Sequence, residues 1–74
     1  MKGADVNAKD EDGMTALIQA THQDHTEVVG LLLRHGANVN AKDKNGMTAL
    51  MRAVRGNNTE VARLLLEHGA DVNA

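Results

Sequence analysis

Residues 3–10 read GADVNAKD. The same stretch returns as GANVNAKD at residues 36–43 and begins again as GADVNA at residues 69–74, so the copies are 33 residues apart. When residues 3–41 are aligned with residues 36–74, 25 of the 39 pairs are identical. Self-similarity at a fixed period of roughly 20 to 50 residues is the signature of a repeat protein. The two halves of the chain are therefore expected to adopt the same local structure.

The first helix of each period is marked by a turn and a threonine. Residues 10–13 read DEDG, in which Asp favours bonds from its side chain to the turn backbone and Gly supplies a positive φ. Thr15 can then cap a helix that runs roughly to His22. Leu17 and Ala20 are expected to face inward from this helix.

The second helix of each period is predicted from about Thr26 to His35. Asp24 and Glu27 have the spacing of a capping box at its start. Gly36 follows its end, where a residue in the left-handed conformation commonly stops a helix. Equivalent cap and stop residues recur 33 residues later.

The apolar residues of the second helix form an unusually wide face. Val28, Val29, Leu32 and Leu33 are spaced i, i+1, i+4 and i+5, and residues 61, 62, 65 and 66 repeat the pattern. A helix with two adjoining apolar stripes can pack against layers on both sides. One period cannot bury such a surface alone, which is typical of a solenoid.

These features resemble the ankyrin repeat, through the 33-residue period, the Asp-x-x-Gly-x-Thr-x-Leu opening and the Leu-Leu-x-x-Gly-Ala-Asp/Asn-Val-Asn-Ala ending. The resemblance covers residues 3–74. It implies an all-α fold, an ankyrin-repeat solenoid of stacked antiparallel helix pairs joined by short finger loops or hairpins. We expect one ankyrin-repeat block over residues 1–74, with a partial finger at residues 3–9, repeat 1 at residues 10–42 and repeat 2 at residues 43–74.

The sequence departs from the family pattern at two places. The family usually has Thr-Pro-Leu-His at the start of the first helix, whereas this chain has TALI at residues 15–18 and TALM at residues 48–51. The glycine that the family places between the two helices becomes Asp24 in repeat 1 and Asn57 in repeat 2. Both residue types tolerate left-handed geometry better than most, so the fold is expected to survive.

Composition narrows the classes of function. The chain has no cysteine, so disulfides are excluded, and its net charge is −2, with Lys and Arg residues that are scattered along it. Without a basic stripe or any aromatic residue it lacks the usual marks of nucleic-acid binding. Its longest apolar runs have three leucines, too few for a membrane span, and no signal peptide is evident at the N-terminus. We expect an intracellular protein, cytoplasmic or nuclear, that contacts neither nucleic acid nor membrane.

The residues give no support for catalysis or metal binding. His22 and His25 are separated by the predicted helix break, and His35 and His68 suit the last turn of a helix, where an imidazolium is favoured by the dipole. Zinc requires three or four converging ligands, which this spacing does not supply. No group meets the geometric requirements of an enzyme site. We therefore predict a protein that is not an enzyme and uses no cofactor and no metal.

The resemblance to ankyrin repeats implies a partner surface made of finger tips and the exposed side of the first helices. Arg55 is the best single anchor candidate, because arginine is frequent at binding hot spots. Met14 and Met47 either offer an adaptable apolar contact or pack on the neighbouring finger. The candidate protein-binding residues are Lys9, Glu11, Asp12, Met14, His22, Gln23, Lys42, Lys44, Asn45, Met47 and Arg55.

The leading hypothesis is a non-catalytic protein–protein interaction module, a fragment of a longer ankyrin array. The alternative is a minimal or engineered repeat unit whose only property is folding or self-association through its uncapped ends. The resemblance also places Asn7, Asn40 and Asn73 at a position that asparaginyl hydroxylases modify in some ankyrin repeats. The simpler interpretation is that each of these side chains bonds to the backbone of its own loop.

Overall fold

The computed structural model describes residues 5–72 and confirms an all-α chain. Within those residues there are four helices and no strand. The helices are α1 (Ala16–His22), α2 (Thr26–Arg34), α3 (Ala49–Arg55) and α4 (Thr59–Glu67). Helices of seven to nine residues are marginal in isolation, so packing between them has to supply most of their stability.

The first helix of each pair begins at the predicted threonine. Thr15 lies in extended geometry before α1, and its hydroxyl accepts a hydrogen bond of 3.2 Å from the backbone N–H of Ile18. Thr48 does the same for the N–H of Met51 before α3, also at 3.2 Å. Each hydroxyl satisfies one of the N–H groups that a helix start leaves without a partner.

The predicted capping boxes at the second helices are wrong. The residue that precedes α2 is His25, which makes no side-chain cap bond, and the one that precedes α4 is Asn58, whose Oδ1 accepts from the N–H of Val61 at 3.1 Å. Asp24 and Asn57 instead have φ values of 61° and 57°. The chain needs a left-handed residue to reverse direction between the helices, so the cap position falls one residue later.

The second helices end as predicted at left-handed glycines. Gly36 has φ of 89° and Gly69 has φ of 90°. After α2, the N–H of Gly36 donates to the carbonyl of Leu33 at 3.3 Å and the N–H of Ala37 donates to the carbonyl of Leu32 at 3.0 Å. This is a Schellman motif, which satisfies the last carbonyls of the helix.

The core lies between the two helix pairs. Helix α1 packs against α2 and α3, and α4 packs against α2 and α3. The largest fully buried apolar side chains are Leu17, Ile18, Val29, Val61 and Leu65, each at most 1% exposed. The described residues therefore form two layers that share one interface, which leaves an outer face on each layer.

The two fingers touch each other. In the first finger the N–H of Gly13 donates to the carbonyl of Asp10 at 3.0 Å, which closes the turn. A side chain at Gly13 would lie 2.8 Å from the backbone nitrogen of Lys44, so only glycine allows the second finger to approach so closely. The N–H of Lys44 donates to the carbonyl of Asp12 at 3.0 Å and joins the fingers.

Candidate functional site

The candidate protein-binding residues of the finger tips, α1 and α3, which we call the strip, differ in exposure. Of its members only Met14 and Met47 are half-buried, and the others are exposed. The exposed candidates are Lys9, Glu11, Asp12, His22, Gln23, Lys42, Lys44, Asn45 and Arg55.

Two contacts tie the charged finger residues together. The ammonium group of Lys44 lies 3.0 Å from a carboxylate oxygen of Asp12, and both side chains are more than 60% exposed. This hydrogen bond raises the pKa of Lys44 above its ordinary value. The ammonium group of Lys9 donates to the backbone carbonyl of Lys42 at 3.0 Å. Adjacent fingers are thus linked along their tips, but by exposed contacts that salt screens.

A partly buried ion pair anchors the second finger to α3. The carboxylate of Asp43 accepts from the N–H groups of Asn45 and Met47 at 2.9 and 3.0 Å and from Arg52 Nη2 at 2.7 Å. Its side chain is 3% exposed. The hydrogen bond from Arg52 is the main reason that the pKa of Asp43 is lowered, and the N–H of Met47 adds to it.

Sequence reasoning missed Arg52 as part of this anchor. The sequence signal for this contact was its spacing. Asp43 and Arg52 are nine residues apart, and Asp10 and Gln19 have the same spacing in repeat 1. There the Nε2 of Gln19 donates to Asp10 at 3.0 Å, but both side chains are exposed. The position therefore holds a neutral donor in repeat 1 and a cation in repeat 2.

Two of the shallow hollows beside α3 are bordered by candidate protein-binding residues, and we name them by position. The central hollow, between α1 and α3, has a volume of about 300 Å³. The terminal hollow, on the outer side of α3, has a volume of about 350 Å³. The central hollow is lined by Thr21, His22, Asp24, Met47, Arg52, Arg55 and Gly56. The terminal hollow is lined by Met47, Leu50, Met51, Val54, Arg55, Asp71 and Val72.

Met47 and Arg55 line both hollows, which separates them from the other candidates. Within residues 5–72 the Arg55 side chain makes no hydrogen bond and no ion pair. The Nε of Arg52 is buried in the same wall and has no hydrogen-bond partner among the described residues. Met14, in contrast, packs against the hydrophobic core. The two methionines therefore have different surroundings although they occupy the same position of the repeat.

The finger asparagines bond to the next finger, and the prediction that they bond to their own loop is wrong. Asn7 Oδ1 accepts from the N–H of Asn38 at 2.6 Å, and its Nδ2 donates to the carbonyl of Gly36 at 3.3 Å. Asn40 Oδ1 accepts from the N–H of Asp71 at 2.8 Å. Asn73 lies outside the described residues. The bond within the loop is made two residues earlier, where Asn38 Oδ1 accepts from the N–H of Asn40 at 3.1 Å.

The described part of the chain contains no cluster suited to a metal. No group of three or more His, Cys, Asp or Glu side chains within residues 5–72 is arranged to hold an ion. His25 stands between α1 and α2, and His35 follows α2. Over the same residues, each helix is too short or too polar to cross a membrane.

A family model described as ankyrin repeats (3 copies) matches residues 1–74. No curated protein matches the chain. The matched range includes both helix pairs, both fingers and both hollows.

Proposed function

Because this chain belongs to the ankyrin repeat family, we propose that it is a non-catalytic module that binds another protein through its finger tips and first helices. Ankyrin repeats are generally protein–protein interaction modules, and the family is typically non-catalytic. A longer array of which this block is one part would extend the same surface.

The observation that carries the proposal is the position of Arg55 and Met47. Arg55 is exposed, has no partner among the described residues and borders both hollows. A guanidinium can bind a carboxylate with two parallel hydrogen bonds, and arginine is among the residues that dominate binding energy. Met47 adds an apolar contact that adapts to the shape of its partner. Together they offer one charged and one apolar anchor beside the two hollows.

The differences between the repeats support the same region. Four pairs of equivalent surface residues differ, and they are Glu11 and Lys44, Asp12 and Asn45, His22 and Arg55, and Gln23 and Gly56. In three of the four pairs the residue of repeat 2 is more positive or less negative. The strip is therefore polarised along its length. A partner with an acidic segment over repeat 2 fits this charge distribution.

The test is a selection of peptides from a random displayed library against the folded chain, followed by titration of one selected peptide. Arg55→Ala and Met47→Ala are each expected to weaken its affinity by about tenfold, the effect of losing one strong anchor. The matched control is Arg34→Ala, because Arg34 is an exposed arginine on α2, away from the strip.

Circular dichroism of each variant separates lost binding from lost folding, since Met47 is half-buried. Failure to select any saturable binder refutes the proposal and favours the alternative, a unit that only folds and self-associates. A peptide that loses affinity with Arg34→Ala and keeps it with Arg55→Ala places the binding surface on the second helices and refutes the assignment of the strip.

A further inference from the structure

Identical residues of the two repeats differ sharply in exposure on one side of the molecule. Val28 is 41% exposed and Val61, its equivalent, is 0% exposed. Leu32 is half-buried and Leu65 is fully buried, and Ala16 is exposed where Ala49 is buried. Residue type cannot cause these differences, because the residues are the same. The cause is that, among residues 5–72, repeat 2 has a neighbour on this side and repeat 1 has none.

Repeat 1 therefore leaves open the same face that repeat 2 packs against repeat 1. We call it the leading face, and it consists of Ala16, Val28, Leu31 and Leu32. Leu31 is 49% exposed. Its equivalent, Leu64, is half-buried beside Gly30 and other residues of α2.

Repeat 2 leaves the opposite face open. Leu33 is 7% exposed whereas Leu66 is 46% exposed, and Thr21 is 2% exposed whereas Val54 is 65% exposed. Ile18 and Val29 of repeat 1 are also buried, whereas their equivalents in repeat 2, Met51 and Ala62, are half-buried. We call this the trailing face, and it consists of Met51, Val54, Ala62 and Leu66.

We propose that two copies of the chain associate head to tail, with the leading face of one against the trailing face of the other. The contact between repeat 1 and repeat 2 inside the chain is the template for this junction, because it pairs the same two kinds of face. No contact within residues 5–72 shows a leading face against a leading face, or a trailing face against a trailing face. The register of the junction follows from the 33-residue period.

The junction is expected to be weaker than its template. Inside the chain Asp12 forms an ion pair with Lys44, whereas at the junction Asn45 of one copy would meet Glu11 of the other, which removes the pair. Arg63 also takes the position of Gly30, so that a long side chain replaces an open space beside the packed leucine. Both changes favour an association that is reversible and concentration-dependent.

The finger segments at the two ends of the described residues also limit the junction. Asp5 and Val6 occupy the same position of the period as Asp71 and Val72, so only one of these segments can fill that place. Asn7, next to the first segment, holds the following finger of its own chain by two hydrogen bonds. Val72 is 67% exposed, so moving the second segment aside gives up little apolar burial, although it also breaks the hydrogen bond from the N–H of Asp71 to Asn40 Oδ1.

The experiment is sedimentation velocity over a concentration series that reaches about 1 mM, because weak complexes have dissociation constants in roughly the micromolar to millimolar range. The two informative variants are Leu31→Glu on the leading face and Leu66→Glu on the trailing face. Both residues are about half exposed, so a carboxylate at either position remains solvated in the monomer. The charge control is Asn38→Asp, because Asp71 occupies the equivalent position in repeat 2.

The head-to-tail arrangement predicts a specific pattern. The unmodified chain and Asn38→Asp are expected to sediment faster with concentration and to pass beyond the dimer, since this contact does not close on itself. Each glutamate variant alone is expected to remain monomeric. An equimolar mixture of the two is expected to form a dimer and nothing larger, because it retains one intact leading face and one intact trailing face.

Two results would overturn the proposal. A chain that stays monomeric at every concentration shows that the open faces do not pair. A variant that still dimerises alone, with no gain on mixing, shows a two-fold contact between like faces. Circular dichroism confirms that each variant is folded, so a loss of association cannot come from unfolding.

Discussion

The substitutions Val28→Ala and Val61→Ala remove the same two methyl groups from the same position of the two repeats. Each valine is the third residue of its helix, so the change in helix propensity is matched. Their surroundings differ, because Val28 is 41% exposed and Val61 is fully buried. The difference between the two effects on the free energy of unfolding therefore measures the contribution of a neighbouring layer at this position.

The expected values follow from burial. For Val61→Ala, two buried methyl groups cost about 1.6 kcal/mol in transfer free energy. A residual cavity adds about 1 kcal/mol, and the helix propensity of alanine offsets roughly 0.5 kcal/mol, so the net destabilisation is about 2 kcal/mol. For Val28→Ala, roughly 60% of the transfer free energy applies and no closed cavity forms, which leaves about 0.5 kcal/mol.

The measurement is urea denaturation followed by circular dichroism, with the protein in the low micromolar range so that copies remain separate. The expected difference of about 1.5 kcal/mol corresponds to more than a tenfold change in the unfolding equilibrium. Equal effects of the two substitutions would refute the reasoning, because they would mean that Val28 is covered in the dilute chain or that Val61 is not. If Val61→Ala is too unstable at 25 °C, a common concentration of a stabilising osmolyte keeps the comparison valid.

Two further substitutions test the helix end at Gly36 and the partly buried ion pair. Gly36→Ala is expected to destabilise the chain by about 1 kcal/mol, because the added Cβ meets no atom within 4 Å and backbone strain at φ of 89° is the whole cost. The control Gly30→Ala, inside α2, is expected to stabilise the chain. Urea denaturation that shows changes of the same sign in the free energy of unfolding for both variants would refute this. Asp43→Asn is expected to flatten the loss of stability below the ordinary carboxyl pKa of 3.8, because the lowered pKa of Asp43 means that the unfolded chain binds the proton first. The measurement is the melting temperature between pH 7 and pH 3. A fall of Tm with pH that is equally steep with and without Asp43 would contradict this role.

Much of the fold could be predicted because each signal is local and occurs twice. Thr15 begins a helix by bonding to an N–H three residues later, and Gly36 ends one by adopting a positive φ. Neither event depends on a distant part of the chain. The 33-residue period then carries each assignment to the second half, where Thr48 and Gly69 behave in the same way.

The errors arose where two neighbouring residues could serve the same role. Asp24 and His25, like Asn57 and Asn58, are adjacent polar residues before a helix, and the capping-box spacing favoured the first of each pair. The reversal between the helices requires the first residue to be left-handed, so the cap moves to the second. Residue types alone do not show this, because Asn suits both positions.

Residue patterns could not predict the contacts that depend on the folded arrangement of fingers and layers. Arg52 joins Asp43 only after a finger has folded back on α3, and Asn7 reaches a finger that lies 31 residues further along the chain. The exposure of Val28 and Val61 is the clearest case. Their local sequences are similar, yet Val28 is exposed and Val61 is buried. The presence of a neighbouring layer decides the exposure of each side chain.

The two hollows respond differently to head-to-tail stacking, which indicates where a partner would anchor. The terminal hollow includes Met51 and Val54 of the trailing face, so a second copy at that face would cover it. The central hollow lies between α1 and α3 of one chain and stays open in a stack. A partner that uses the terminal hollow must therefore compete with self-association, whereas one that uses the central hollow need not. Arg55 and Met47 border both hollows, so the central hollow is the part of their surface that remains available to a partner in either state.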